Sequence, residues 1–247
     1  MTPTTEFRRG AISPVECLKE AWELIKNQYW LFFGICAVGM LVGSAFAIVL
    51  MGPMMCGIYL CFFQHMRGER VSFEGVFKGF DYFGQSLIAM LIQMIPAVII
   101  IVPVYLVMAV SMMTAVSSSH GRGGGEGAIA AGFFVAMIVV FVAIFLMSII
   151  LGIFFMFTFP LIVDRKLSGV DAVKTSVKAA LANFGGVLGL VLLNAALSFA
   201  GVIFCYVGAF FVMPITLAAH AIAYRRVFPE ISQTFASPPP PPGNWAA

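Results

Sequence analysis

The 46 residues from Ala179 to Tyr224, AALANFGGVLGLVLLNAALSFAGVIFCYVGAFFVMPITLAAHAIAY, contain no Asp, Glu, Lys or Arg. About 20 apolar residues in a helix cross the hydrocarbon of a bilayer. The stretch therefore holds two crossings, at 184–202 and 204–224. Three other charge-free stretches occur: Asn27–Met66 (40 residues), Tyr82–Gly121 (40 residues) and Gly127–Val163 (37 residues). The first gives two spans, 29–48 and 50–66. The others give one each, 86–112 and 132–160, because the polar run Ser117-Ser118-Ser119-His120-Gly121-Arg122 ends the third span. Each Leu, Ile, Phe or Val favours insertion by about 0.3 to 0.6 kcal/mol, and no ionised side chain at about +3 kcal/mol opposes it. The sequence predicts an all-α polytopic membrane protein with six transmembrane helices.

Composition agrees. Hydrophobic residues make up 61% of the 247 and charged residues 10%, against about 25% charged in a soluble domain. Mean hydropathy is +1.01. A soluble globular domain and a disordered chain are both excluded. The net charge of +3 is too small to argue for nucleic acid, so the primary partner is the lipid bilayer. The five cysteines, Cys17, Cys36, Cys56, Cys61 and Cys205, form no CxxC pair and read as buried small hydrophobes. The three histidines lack metal-ligand spacing, and no cofactor is expected.

With six spans, 13 of the 14 Lys and Arg residues fall on one side, and only Arg122 lies opposite. The positive-inside rule places that side, with both termini, in the cytoplasm. The N-terminus does not read as a signal peptide, since its first apolar run begins near Tyr29 behind an acid-containing helix. Residues 1–12 then form a cytoplasmic segment and 13–228 the membrane domain. Residues 229–247, with Ser237 and the prolines 238–242, form a disordered or polyproline tail.

The cytoplasmic segments carry a recurring device. Ser13-Pro14-Val15-Glu16 has the form of a capping box, and Val15, Leu18, Trp22, Ile25 and Tyr29 follow at helical spacing. Ser168-Gly169-Val170-Asp171 begins a second such helix, with Val170, Val173, Val177 and Leu181 on one face. Ser72 begins another, with Phe73, Val76, Phe77 and Phe80. A lysine falls six residues after each serine: Lys19, Lys78 and Lys174. Three cytoplasmic amphipathic helices, each followed by a pair of spans, predict a three-fold helix-plus-hairpin repeat. The serines are spaced unevenly, by 59 and then 96 residues. Pro53, Pro160 and Pro214 fall in or at the end of the second span of each hairpin, with Pro96 and Pro103 in the third span.

Gly39-x-x-x-Gly43 and Gly185-x-x-x-Gly189 put small residues on one helix face, suited to internal packing or to self-association. Gln93 and Asn194 lie within spans, where an amide serves as an interhelical hydrogen bond or a substrate contact. His220 sits near the cytoplasmic end of the last span without a carboxylate nearby in sequence. Gly123–Ala128 fits GxGxxA in letters only, since no strand precedes it; it reads as a flexible external linker.

The run Gly52-Pro53, Gly57, Arg67-Gly68-Glu69 and Phe77-Lys78-Gly79-Phe80, with Phe159-Pro160-Leu161-Ile162-Val163-Asp164, Ser168, Asp171-Ala172-Val173-Lys174 and Ser176, resembles a group of uncharacterised bacterial six-span membrane proteins. They are similar to the membrane domain fused to some glycerophosphodiester phosphodiesterases. The resemblance implies the six-span fold and a bacterial inner-membrane location. It carries over no catalytic residue, because that chemistry belongs to a soluble domain.

The spans hold no Asp or Glu, so neither an intramembrane carboxylate pair nor an ionisable group for proton coupling is available. The expectation is a non-enzymatic scaffold or partner subunit, in contact with a protein partner or forming a homo-oligomer. The alternative is permeation, transport or lipid handling through the repeat interface, using Gln93 and Asn194.

Overall fold

The computed structural model describes residues 7–45, 48–119, 126–203 and 207–229. Among them all regular structure is helical, with no strand. Six stretches are long and apolar enough to cross a bilayer, which makes the chain a multi-pass membrane protein. Helix α1 (Pro14–Ile25) passes through one 3₁₀ turn into α2 (Tyr29–Ala45), and α3 (Ile48–Met66) returns beside it. A 3₁₀ helix, Phe73–Tyr82, leads into α4 (Phe83–Ser119), which pairs with α5 (Glu126–Phe155). Then come α6 (Thr158–Arg165), α7 (Gly169–Ala182), α8 (Phe184–Ile203) and α9 (Val207–Val227). The Gly-rich run with His120 and Arg122, Cys205, and the tail beyond Pro229 lie outside the described residues.

Two spans differ from expectation. The third runs from Phe83 to Ser119 rather than 86–112. Serine is only mildly unfavourable in a helix, and neither glycine nor proline intervenes before Gly121, so polarity alone does not stop it. The fourth begins at Glu126 and breaks at Met156–Phe157. Pro160 explains the break: its ring crowds the carbonyl four residues back, that of Met156, and it has no N–H to donate. Ser176 of α7 bridges the gap. Its hydroxyl donates to the Phe154 carbonyl (2.7 Å) and accepts from the Phe157 N–H (3.2 Å).

Ser13, Ser72 and Ser168 all stand at N-caps, but only Ser168 caps with its side chain. Its Oγ accepts from the Asp171 N–H (3.2 Å) and donates to Asp171 Oδ2 (2.6 Å). The capping box expected at Ser13 is not formed; Glu16 is drawn instead to Arg226 across the bundle. Small residues make up most of the buried face in each case: Cys17 and Ala21 beside Ile25 in α1, Gly75 and Gly79 beside Val76 in the 3₁₀ helix, Ala172 and Ala179 beside Val173 in α7. Of the bulky residues of the periodic stripes, Trp22, Phe77 and Leu181 are exposed, whereas Ile25, Val76 and Val173 are buried. Small side chains let the backbones approach, and those three bulky exposed ones are left outside.

The closest approach is that of the 3₁₀ helix to α3. A Cβ on Gly57 would run into the Val76 carbonyl, and one on Gly79 into the Pro53 carbonyl. Helix α3 then ends at Gly68, whose φ of +74° is open to glycine at no steric cost. In the following turn the Arg67 guanidinium donates to Glu69 (2.6 Å) and holds its carboxyl below the usual range. Phe7–Ile12, expected as a segment separate from the membrane domain, packs onto it. Ile12 is buried, the Phe7 ring lies 6.2 Å from that of Phe228, and the Arg8 N–H donates to the Val227 carbonyl (2.9 Å).

Candidate functional site

The charged end of the bundle gathers the aromatic core and the ionic groups. Each charge-free stretch must end where its helix leaves hydrocarbon, and two end with opposite signs: one at Asp164 in α6, another at Arg225 in α9. Arg225 Nη1 forms an ion pair with Asp164 Oδ1 (2.9 Å), and the Tyr224 hydroxyl donates to Asp164 Oδ2 (2.7 Å). Arg165 Nε lies 3.4 Å from the same oxygen, while its Nη2 donates to the Pro229 carbonyl (2.8 Å). The side chains of Asp164, Arg165 and Arg225 are 13%, 11% and 15% exposed. The Arg225 guanidinium lies over the Phe63 ring, 4.4 Å from its centroid. Below it, Tyr224 stacks on Phe228 (5.1 Å) and touches the Phe63 ring (5.4 Å).

A second set stands beside the first. Arg226 reaches Glu16 (3.1 Å) and Glu20 (2.7 Å), tying α9 to α1. The Asp164 set is thus net positive and the Arg226 set net negative, side by side. Between α1, α9 and the end of α3 lies an open crevice of about 670 Å³, whose walls include Glu20, Glu23, Arg225 and Arg226.

The polar residues singled out in the spans are placed in two regions. Asn194 of α8 and His220 of α9 meet, Nδ2 to Nε2 at 2.9 Å. The partner that His220 lacks in sequence is therefore an amide from the neighbouring helix. Asn194 Oδ1 is buried without a hydrogen-bond partner. Gln93, on α4, is not part of this pair, and its Oε1 is also buried without a partner.

Among the glycines, a Cβ on Gly39 would stand 2.8 Å from Ile58 Cδ1, and one on Gly43 would stand 2.9 Å from Met51 Sδ, both across the α2–α3 contact. Gly189 faces Pro14 (2.8 Å). Gly185, expected on that face, has open space where a Cβ would stand; the close approach is made by Gly186 against Ile12 (2.7 Å). The reason is that residues 7–12 cover α8, which moves the contact by one position around the helix.

Among the described residues no three His, Cys, Asp or Glu side chains come together as metal ligands. Sequence reasoning missed the ionic cluster because it used these charges only to bound and orient the spans. The available signal was that Asp164 and Arg225 are the first charges after long apolar runs, and so share one depth. No protein-family model, curated protein or solved structure matches the chain.

Proposed function

We propose that this protein is a non-catalytic scaffold or partner subunit of the bacterial inner membrane, with both termini cytoplasmic. The observation that carries the reading is the length of the α4–α5 hairpin. Helices α2, α3, α8 and α9 have 17 to 21 residues, about 25 to 32 Å, which matches the hydrocarbon layer. Helix α4 has 37 and α5 has 30, about 55 and 45 Å. Even at a tilt of about 40°, α4 leaves the hydrocarbon after roughly 26 residues, near Ala109. Val110 and Met112, beyond that point, are 59% and 56% exposed. Apolar surface outside hydrocarbon costs about 25 cal/mol per Å², so a covering protein surface is favoured.

The orientation is supported by the 13 basic residues on one side. The three-fold repeat of amphipathic helix plus hairpin is supported by Cys17, Val76 and Ala172, each four residues after its serine and each fully buried. The resemblance to a phosphodiesterase-linked membrane domain agrees with a membrane module that serves another activity. The test is cross-linking in native membranes after Leu106→Cys or Val110→Cys with a short bis-maleimide. The four described native cysteines are buried and do not compete. A product of two chains, or of one chain plus one defined partner, is expected; monomer alone rejects the reading. Permeation or lipid handling is the second reading, favoured by the Asn194–His220 pair within apolar helices. Purified protein that raises solute or lipid flux in liposomes would establish it.

A further inference from the structure

We propose that the crevice between α1, α9 and the end of α3 holds a phosphoethanolamine group, the headgroup of a phospholipid with a primary ammonium. Three observations point there. The first is charge separation: Arg8, Arg225 and Arg226 line the crevice together with Glu20 and Glu23, so a phosphate and an ammonium each find opposite charge within one space. Arg226 has five N–H donors, and Glu16 and Glu20 take two of them, which aims the guanidinium and leaves donors for a phosphate. Arg225 is fixed by Asp164 and the Phe63 ring.

The second observation is the apolar part of the lining, Leu24, Met66 and Ile222, which suits the glycerol and upper acyl carbons of a lipid. The third is depth. Trp22, one residue before Glu23, packs against Tyr29 (6.0 Å), which meets Trp30 (5.7 Å). Such Trp and Tyr groups mark the headgroup level of a bilayer. A volume of about 670 Å³ lies within the range of small-molecule sites.

The same chemistry discriminates among headgroups. A primary ammonium donates hydrogen bonds to Glu20 and Glu23, whereas a quaternary ammonium has none to give and calls for an aromatic cage. No aromatic side chain is among the described residues lining the crevice. An anionic headgroup meets the two carboxylates without a compensating cation of its own. The proposal does not rest on the hairpin reading, since the crevice and the hairpin share no residue.

The experiment is native mass spectrometry of the purified full chain, delipidated and offered equal amounts of phosphatidylethanolamine, phosphatidylcholine and phosphatidylglycerol. Preferential retention of one phosphatidylethanolamine is expected. Glu23→Gln removes an exposed carboxylate whose ion pair is with Lys26, itself exposed, so the fold is not at stake. It should lower the preference over phosphatidylcholine by about fivefold, the scale of one accessible ion pair. Arg8→Gln should weaken retention of all three lipids. Displacement by millimolar soluble phosphoethanolamine would identify a soluble ligand of the same chemistry, and retention despite it would identify the lipid. Equal retention of the three lipids, or a preference unchanged in both variants, overturns the proposal.

Discussion

Helices α3 and α4 are both apolar, yet they live in different surroundings. In the most apolar stretch of the α3 span 56% of residues are buried within the protein; in that of the α4 span 6% are. Apolarity tells only which solvent a helix tolerates. What separates the two is side-chain size at the contacts. Helix α3 carries Gly52 and Gly57, where a Cβ would meet the Ser86 carbonyl (2.9 Å) and the Val76 carbonyl respectively. From Ala97 to Val110, α4 has no glycine, and apart from Ala97, Pro103 and Ala109 it presents Val, Ile, Leu, Tyr and Met. In lipid, where burial of an apolar chain against protein gains little over burial against acyl chains, close backbone approach decides which helix joins the core.

The most damaging single change should therefore be a side chain at Gly57. Gly57→Leu places carbons in space held by the backbone of the 3₁₀ helix, which has no rotamer through which to yield. A loss of about 3 kcal/mol or more is expected, read as collapse of the monodisperse fraction in mild detergent. Gly84→Ala, where nothing lies within 4 Å, is the matched control and should leave that fraction intact. If Gly57→Leu behaves like Gly84→Ala, size at contacts is not what distinguishes α3 from α4.

Next in size is the ionic cluster that closes the core. Asp164→Asn leaves Arg225 and Arg165 without the carboxylate they share and turns an NH2 donor toward a donor-rich site. The pair as a whole gains little over apolar replacements, but removing one partner of a mostly buried pair costs about 2 to 3 kcal/mol. The check is thermal unfolding in detergent. Tyr224→Phe removes one hydrogen bond and should cost about 1 kcal/mol, so the two variants must rank in that order.

The sequence made the number of spans legible because an uncompensated charge inside hydrocarbon is expensive, so charge-free runs must be spans. It placed the end of the fourth span at Pro160, whereas the helix breaks three to four residues upstream, where the ring meets the preceding turn. What it did not disclose was lateral: Gly57 opposite Val76, Asp164 opposite Arg225 and Asn194 opposite His220 each join residues 19 to 61 positions apart. Periodicity specifies a face but not the helix that meets it. For that reason the Gly185–Gly189 face was read one position away from the contact that Gly186 makes. The bulky stripes of the three Ser-led helices are another instance. Their apolar residues were conspicuous in sequence, while the small residues that make contact were not.

Ser176 tests the seam between the two regions, since it ties the core helix α7 to the end of the long α5. Ser176→Ala leaves the Phe154 carbonyl and the Phe157 N–H without their bridge at a buried helix break. An unsatisfied buried backbone group costs about 1 to 3 kcal/mol, and water reaching the break would bring the loss toward the lower figure. Hydrogen exchange should rise at Phe157 and its neighbours, leaving α3 unchanged. An equal rise in α3 would mean that the hairpin and the core unfold as one unit.

The smallest expected effect on stability belongs to the hairpin surface, and it separates folding from function. Leu106 and Val142 are 61% and 46% exposed, one on each long helix. Trimming either to Ala removes contacts with lipid or detergent, not with protein, so the isolated chain should lose less than about 0.5 kcal/mol. If the hairpin is covered in the membrane by a second chain, the same substitutions remove contacts from that interface. The Val110→Cys cross-link should then fall in yield while unfolding in detergent is unchanged. A helix that evolved only to meet lipid would give no defined cross-linked product for these substitutions to weaken, and unfolding would again be unchanged, because one apolar side chain serves lipid as well as another.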